Sequence, residues 1–257
     1  MILCGGKGTR LGEVTQNIIP KPMVEIGGFP ILEHIMRYYG KFGHNEFVLC
    51  AGHLSWSIKS YFKTLHERHS DMVIDFTRGG LELKGSSAVP DWTVTIAETG
   101  ADTMTAGRVR RVLKYLPTDG SFMLTYGDGV ADVDLDALIA FHESHGRGLT
   151  MTGVIPPGRF GEIIHDGDTV TDWAEKPQQS DRYINGGFMV MRRDFAEKYI
   201  APCDDRIMLE RDSFEQAARD REMMLFRHNG FWQCMDTARD WEALNSIWDA
   251  GNAPWSV

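Results

Sequence analysis

No stretch of this 257-residue chain approaches the ~18 uninterrupted apolar residues that a membrane-spanning helix needs, so no span is expected. Its first residues also lack the charged, then apolar, then small-residue order of a signal peptide, and the expectation is a cytoplasmic protein. Cysteine is scarce. The four present, Cys4, Cys50, Cys203 and Cys234, never fall in C-x-x-C spacing, so neither a zinc knuckle nor a disulfide framework is expected. They read as reduced thiols, with Cys4 and Cys50 on core strands. An excess of basic charge is missing too: 27 Lys and Arg against 36 Asp and Glu leave a net charge of -9. That balance argues against nucleic acid or an anionic membrane as partner, and any anionic ligand has to meet local cations. Internal repeats and low-complexity linkers are absent as well. With 42% hydrophobic residues, the chain has enough apolar surface for one large domain or two tightly fused ones.

What is there alternates. Met1 to Cys4, Phe47 to Cys50, Met72 to Phe76, Phe122 to Tyr126 and Leu149 to Ile155 read as strands, several apolar on both faces as buried parallel strands are. Helix-period stripes lie between them: Ile31, Leu32, Ile35, Met36, Tyr39 and Phe42; Leu54, Ile58, Tyr61, Phe62 and Leu65; Val109, Val112, Leu113 and Leu116; Leu135, Leu138, Ile139 and Phe141. This order predicts an α/β fold with a mostly parallel sheet, helices on both faces and ligands at the carboxyl ends of strands. From Gly158 to Ile200 the texture changes. Asp166-Gly167 reads as a tight turn, Val170 to Glu175 as a strand, and Tyr183 to Met191 as a strand broken by Gly186-Gly187, together a sheet extension that forms a second lobe. One or two helices close the chain, with Trp241, Leu244, Ile247 and Trp248 on one face.

The first strand runs into Gly5-Gly6-Lys7-Gly8-Thr9-Arg10, a loop with unobstructed backbone N–H groups and two cations. Polyphosphate suits it, although neither the Walker spacing nor the dinucleotide fingerprint is met, and a plain turn is the other reading. Pro20-Lys21-Pro22 fixes the backbone on both sides of one long cation, as a phosphate partner requires; a solvated loop lysine is the alternative. Tyr126-Gly127-Asp128-Gly129 presents a carboxylate between glycines just past an apolar strand, which suits Mg²⁺ or a simple Asp-Gly loop. Asp236 offers a second metal ligand or the N-cap of the last helix. Glu175-Lys176 pairs a hydroxyl acceptor with an ammonium, suiting a sugar phosphate or a surface ion pair. His66 with His69 and His142 with His145 stand at i,i+3, but no further ligands are apparent, and solvated helix ends are expected.

Taken together, Gly5 to Arg10, Pro20 to Pro22, Gly127-Asp128, Glu175 to Pro177 and Gly186-Gly187 resemble, in order, the motifs of the sugar-1-phosphate nucleotidyltransferase family. PMVEIGG (Pro22 to Gly28), TYGDGVAD (Thr125 to Asp132), PPGRFG (Pro156 to Gly161), INGGF (Ile184 to Phe188) and Gly230 to Thr237 resemble its glucose-1-phosphate cytidylyltransferase branch in particular. The resemblance implies a Rossmann-like three-layer fold whose smaller sheet and helix extension forms a sugar-binding lobe. One domain would span residues 1–257, with a nucleotide-binding core at 1–155 and a sugar-phosphate lobe and C-terminal helices at 156–257. It implies transfer of a cytidylyl group from CTP to glucose 1-phosphate, with Mg²⁺ as cofactor, in polysaccharide precursor synthesis. The cytosolic homo-oligomer it implies is a hexamer. Leu3, Gly5, Gly6, Gly8, Thr9, Arg10, Lys21, Thr103, Arg108 and Gly127 would bind the nucleotide, with Arg10, Lys21 and Asp128 catalytic. Asp128 and Asp236 would bind the metal, and Glu175, Lys176, Asn185 and Gly186 the sugar phosphate. Cys4 and Glu98 depart from the family's usual alanine and aspartate, and residues 78 to 90 match it least. A relative that uses UTP or dTTP, or another sugar 1-phosphate, and a non-catalytic nucleotide-binding subunit are the alternative readings.

Overall fold

A computed structural model describes residues 1–85, 89–156, 162–174 and 183–256. Its main sheet has seven strands: β1 (Ile2–Leu3), β2 (Glu46–Ala51), β3 (Thr93–Glu98), β4 (Ser121–Tyr126), β5 (Leu149–Val154), β6 (Ile184–Arg192) and β7 (Met223–His228). They lie in the order β7-β5-β6-β4-β1-β2-β3. Only β6 runs antiparallel to its neighbours β4 and β5; the other pairings are parallel. The carboxyl ends of β1, β2, β3 and β4 therefore share one edge, and β6 begins at that same edge.

Side chains alternate across the sheet as strand geometry requires, and each face carries its own core. Ile2, Leu49, Phe188 and Val190 face one side, where α1 (Ile31–Lys41), α2 (Ser55–Lys63), α4 (Leu135–His145) and α7 (Ala238–Asp249) contribute Ile35, Ile58, Leu138 and Leu244. Leu3, Cys50, Leu124 and Met189 face the other, against Val109, Phe195 and Ala217 of α3 (Thr105–Val112), α5 (Arg193–Tyr199) and α6 (Phe214–Arg219). The result is three layers around a mostly parallel sheet, and Cys4 and Cys50 are buried free thiols in it. Among the described residues no helix is long and apolar enough to cross a membrane.

Two strand expectations need correction. Met72 to Phe76 is not a buried strand: Asp71–Asp75 pairs antiparallel with Gly80–Lys84 in a separate hairpin, and Phe76 is 91% exposed. The strand that flanks β2 is instead β3, whose Thr-Val-Thr-Ile alternation is weaker because one of its faces is only half-buried. The segment from Tyr183 to Met191 is likewise no part of a second sheet. It forms β6, continuous through Gly186-Gly187, and joins the central sheet with a register shift opposite Met151 and Gly153. The smaller sheet consists of Glu162–Asp166 and Thr169–Ala174, joined at the expected Asp166-Gly167 turn. His142 is no solvated helix end either; it is buried, and with His145 it shares the Thr150 hydroxyl at 2.8 and 2.7 Å.

Candidate active site

The glycine loop leaves β1 at the ligand edge. Gly8 takes φ 60° at the mouth of a 3-10 turn over Thr9–Leu11, and a Cβ there would stand 3.0 Å from the Lys21 Cβ. Both facts favour glycine, the first for backbone freedom and the second for the close approach of the lysine stem. A Cβ on Gly6 would meet nothing within 4 Å, so glycine at that position keeps open space rather than packing. Lys21 begins a 3-10 turn over Lys21–Met23, entered from the extended Pro20 and closed by the Met23 N–H to the Pro20 carbonyl at 2.8 Å. Asp128 follows β4, where Gly127 donates to the Leu3 carbonyl at 2.9 Å. Asp236 follows the short strand Trp232–Cys234, which pairs with Gly129–Ala131.

These elements bring one ammonium between two carboxylates. Lys21 Nζ donates to Asp128 Oδ2 at 2.6 Å and to Asp236 Oδ1 at 2.5 Å, and the side chain of Lys21 is only 10% exposed. Arg10 pairs with the other oxygen of Asp236 at 2.9 Å from a largely exposed position. Burial works against the Lys21 charge, but Asp128 and Asp236 outweigh it and hold the ammonium pKa above its usual range. For Asp236 burial likewise opposes ionisation and is outweighed, chiefly by Lys21, so its pKa lies below the ordinary carboxylate value. The N-cap of α7 is Thr237, in a capping box with Asp240, which leaves Asp236 free of that duty.

Two cavities meet at this cluster. One of about 390 Å³ is lined by Leu3, the glycine loop, Thr103, Thr105 and Arg108. Another of about 290 Å³ is lined by Asn185, Gly186, Glu210 and Trp232. Arg10, Tyr126, Asp128 and Asp236 belong to both. Each expected site residue within the described chain therefore lies on this double cavity, while Glu175 and Lys176 lie outside the described residues. The donor set fits a hard divalent cation, since two carboxylates from separate elements already converge on one positive atom. Among the described residues no group of three or more metal-ligating side chains is present, so substrate oxygens and water would complete such a shell.

Arg108 lines the first cavity but does not offer its charge freely. Its guanidinium is buried and donates to the Gly5 carbonyl at 2.8 Å, the Thr99 hydroxyl at 2.6 Å and the Gly100 carbonyl at 2.8 Å. It braces the ends of β1 and β3, and a Cβ on Gly5 would sit 2.1 Å from its Nη1. Gly5→Ala is therefore expected to cost about 1–3 kcal/mol of stability by overpacking, whereas Gly6→Ala leaves stability unchanged. Urea titration of the two variants side by side checks this; equal midpoints would remove Arg108 as the brace.

Sequence reading missed Tyr126, Thr105, Glu210 and Trp232. The Tyr126 hydroxyl donates to Glu210 Oε1 at 2.6 Å and accepts from the Asn185 amide at 3.1 Å. Trp232 Nε1 donates to the Gly186 carbonyl at 2.8 Å. Only Tyr126 carried a usable signal, through its place beside Gly127-Asp128.

A glycine loop at a strand end, a clamped lysine and paired aspartates are the equipment of nucleotidyl transfer, and the chain belongs to the nucleotidyl transferase family, whose model matches residues 1–252. It is 42% identical, over all of its length and 98% of theirs, to the glucose-1-phosphate cytidylyltransferases of Salmonella typhi and Salmonella typhimurium. It also superposes on HddC from Yersinia pseudotuberculosis with a TM-score of 0.66 at 24% identity, covering 96% of this chain and 97% of that one.

Proposed function

We propose that this enzyme transfers the cytidylyl group of CTP to α-D-glucose 1-phosphate, releasing CDP-glucose and pyrophosphate. The full-length likeness to enzymes named for that reaction carries the choice of base and sugar. The geometry supports the chemistry: two cavities share Arg10, Asp128 and Asp236, with Lys21 bonded to both aspartates, as suits two phosphorylated substrates that react with each other. The larger cavity takes the nucleotide and the smaller the sugar phosphate, and the resemblance gives Glu175 and Lys176 to sugar-phosphate binding. A phosphate oxygen of the sugar attacks the α-phosphorus; that P–O bond forms while the bond to the β-phosphate oxygen breaks and pyrophosphate leaves.

A phosphate dianion is already a nucleophile, so the protein needs no general base and works by alignment and charge. Lys21 meets the α-phosphate, Arg10 swings from Asp236 toward the phosphate chain, and the glycine loop lends its N–H groups. Asp128 and Asp236 would hold Mg²⁺, which when bound would offset phosphate charge. The chain works as a homo-oligomer in the cytoplasm. With glucose 1-phosphate and Mg²⁺, pyrophosphate release is expected with CTP and not with UTP, dTTP, ATP or GTP. Release with UTP or dTTP alone would keep the chemistry and reassign the base, and silence with all five would favour another sugar phosphate or a binding-only subunit.

A further inference from the structure

We infer that Glu210 reads a hydroxyl of the sugar and so sets which sugar 1-phosphate is accepted, an inference that rests on the reaction proposed above. Glu210 lies on a π-helical turn over Leu209–Ser213, just before α6. Such turns are uncommon and gather at functional sites because they re-aim single side chains. Leu209 and Ser213 are buried, anchoring the turn, while Glu210 between them is half-buried and faces the smaller cavity.

The carboxylate is held from two sides. Oε1 accepts from the Tyr126 hydroxyl at 2.6 Å, and Oε2 accepts from the Thr105 hydroxyl at 2.9 Å. The Thr105 oxygen in turn accepts from the Leu209 N–H at 2.8 Å, closing a ring back to the π-helical turn. Two protein donors thus occupy two of the roughly four lone-pair positions an ionised carboxylate offers. The remaining ones adjoin a cavity meant for a polyhydroxyl ring, and a sugar hydroxyl is a donor. Asn185 stands at the same wall with its amide on the Tyr126 oxygen and its Oδ1 accepting from the Gly187 N–H at 2.9 Å. Its second amide hydrogen complements Glu210, giving one donor and one acceptor to the same face of the ring. The one proton of the Tyr126 hydroxyl is committed to Glu210 and its oxygen to the Asn185 amide, so it acts as the spacer that fixes both neighbours.

The test is steady-state kinetics of pyrophosphate release with CTP, comparing glucose 1-phosphate with its 2-, 3-, 4- and 6-deoxy analogues. Wild type should discriminate strongly against one analogue, because a site built to bond a hydroxyl leaves a polar group unpaired when it is missing. Glu210→Gln should raise the KM for glucose 1-phosphate by about 10- to 100-fold, leave the KM for CTP within about twofold, and lose discrimination against that analogue. Thr105→Val removes one brace and keeps the carboxylate, so it should retain the discrimination and shows that a loosened wall is not enough. The inference is overturned if Glu210→Gln keeps the wild-type analogue profile, or if the KM values for sugar and CTP rise together with equal losses for every analogue. Should a different sugar 1-phosphate prove to be the substrate, its deoxy series replaces this one, so failure of the reaction reading and failure of Glu210 are seen separately.

Discussion

Lys21→Ala is expected to lower turnover by a factor on the order of 10² to 10³, the loss typical of a preorganised charge-stabilising donor. The expectation comes from where the ammonium is held. It is nearly buried, it needs two carboxylates to stay charged there, and it lines the larger cavity while bonded to the two aspartates that line both. Preorganisation is supplied by Pro20 and Pro22, which fix the backbone on either side, and by Gly8, which lets the stem pass. Alanine removes the charge and also leaves Asp128 and Asp236 facing each other without a counter-ion, so a simple collapse of the site has to be separated from a lost catalytic contact. Mn²⁺ binding in the absence of nucleotide makes that separation. With the internal cation gone, the two carboxylates should bind Mn²⁺ at least about tenfold more tightly, as expected when a competing charge within 3 Å is removed. Low turnover with tightened Mn²⁺ binding supports the assignment. Turnover near the wild-type level would end the assigned role.

Much of this site was legible because its constraints are local. A glycine run after an apolar strand, a lysine between prolines and an aspartate between glycines each restrict the backbone over a few residues, and sequence records such restrictions directly. Asp236 was legible as one of two things, and the capping box of Thr237 with Asp240 takes the N-cap away from it. Glu210 was invisible for the opposite reason. Its partners Tyr126 and Thr105 are 84 and 105 residues away, and a contact made by topology leaves no spacing to read. Arg108 shows a third case: the resemblance implies a nucleotide-binding role for it, but its bonds to the Gly5 and Gly100 carbonyls turn it into a brace for the loop. Errors in the fold have a similar origin. Asp71–Asp75 carries three consecutive apolar residues while β3 alternates, yet it is β3 that joins the central sheet, because periodicity cannot say which short segment a sheet will bury. For β6 the glycine pair looked like a break, yet the strand runs through it, with Gly187 at φ 76° beside Thr125 and Tyr126.

Asp128→Ala is expected to abolish Mg²⁺-dependent turnover, a larger loss than that from Lys21→Ala. Mg²⁺ keeps several waters and takes one or two protein carboxylates, so losing one of a pair halves the protein's share of the shell. Among the described residues no further acidic, histidine or cysteine cluster stands ready to replace it. The same substitution releases one of the two partners of the Lys21 ammonium, while Asp236 keeps the other at 2.5 Å with Arg10 on its second oxygen. The fold should survive, because Asp128 lies at the cavity and its neighbours are anchored by backbone bonds, Gly127 to Leu3 and Met235 to the Asp128 carbonyl. The measurement is a Mg²⁺ titration of pyrophosphate release for wild type, Asp128→Ala and Asp128→Asn, with thermal unfolding as the check on folding. Both variants should melt near the wild-type temperature and remain inactive across the titration. Asparagine keeps the shape but not the charge, so recovery by Asp128→Asn would mean that the carboxylate serves only to orient Lys21. Unchanged activity of the alanine variant at limiting Mg²⁺ would remove Asp128 from the metal site and leave Asp236 as its one assigned carboxylate.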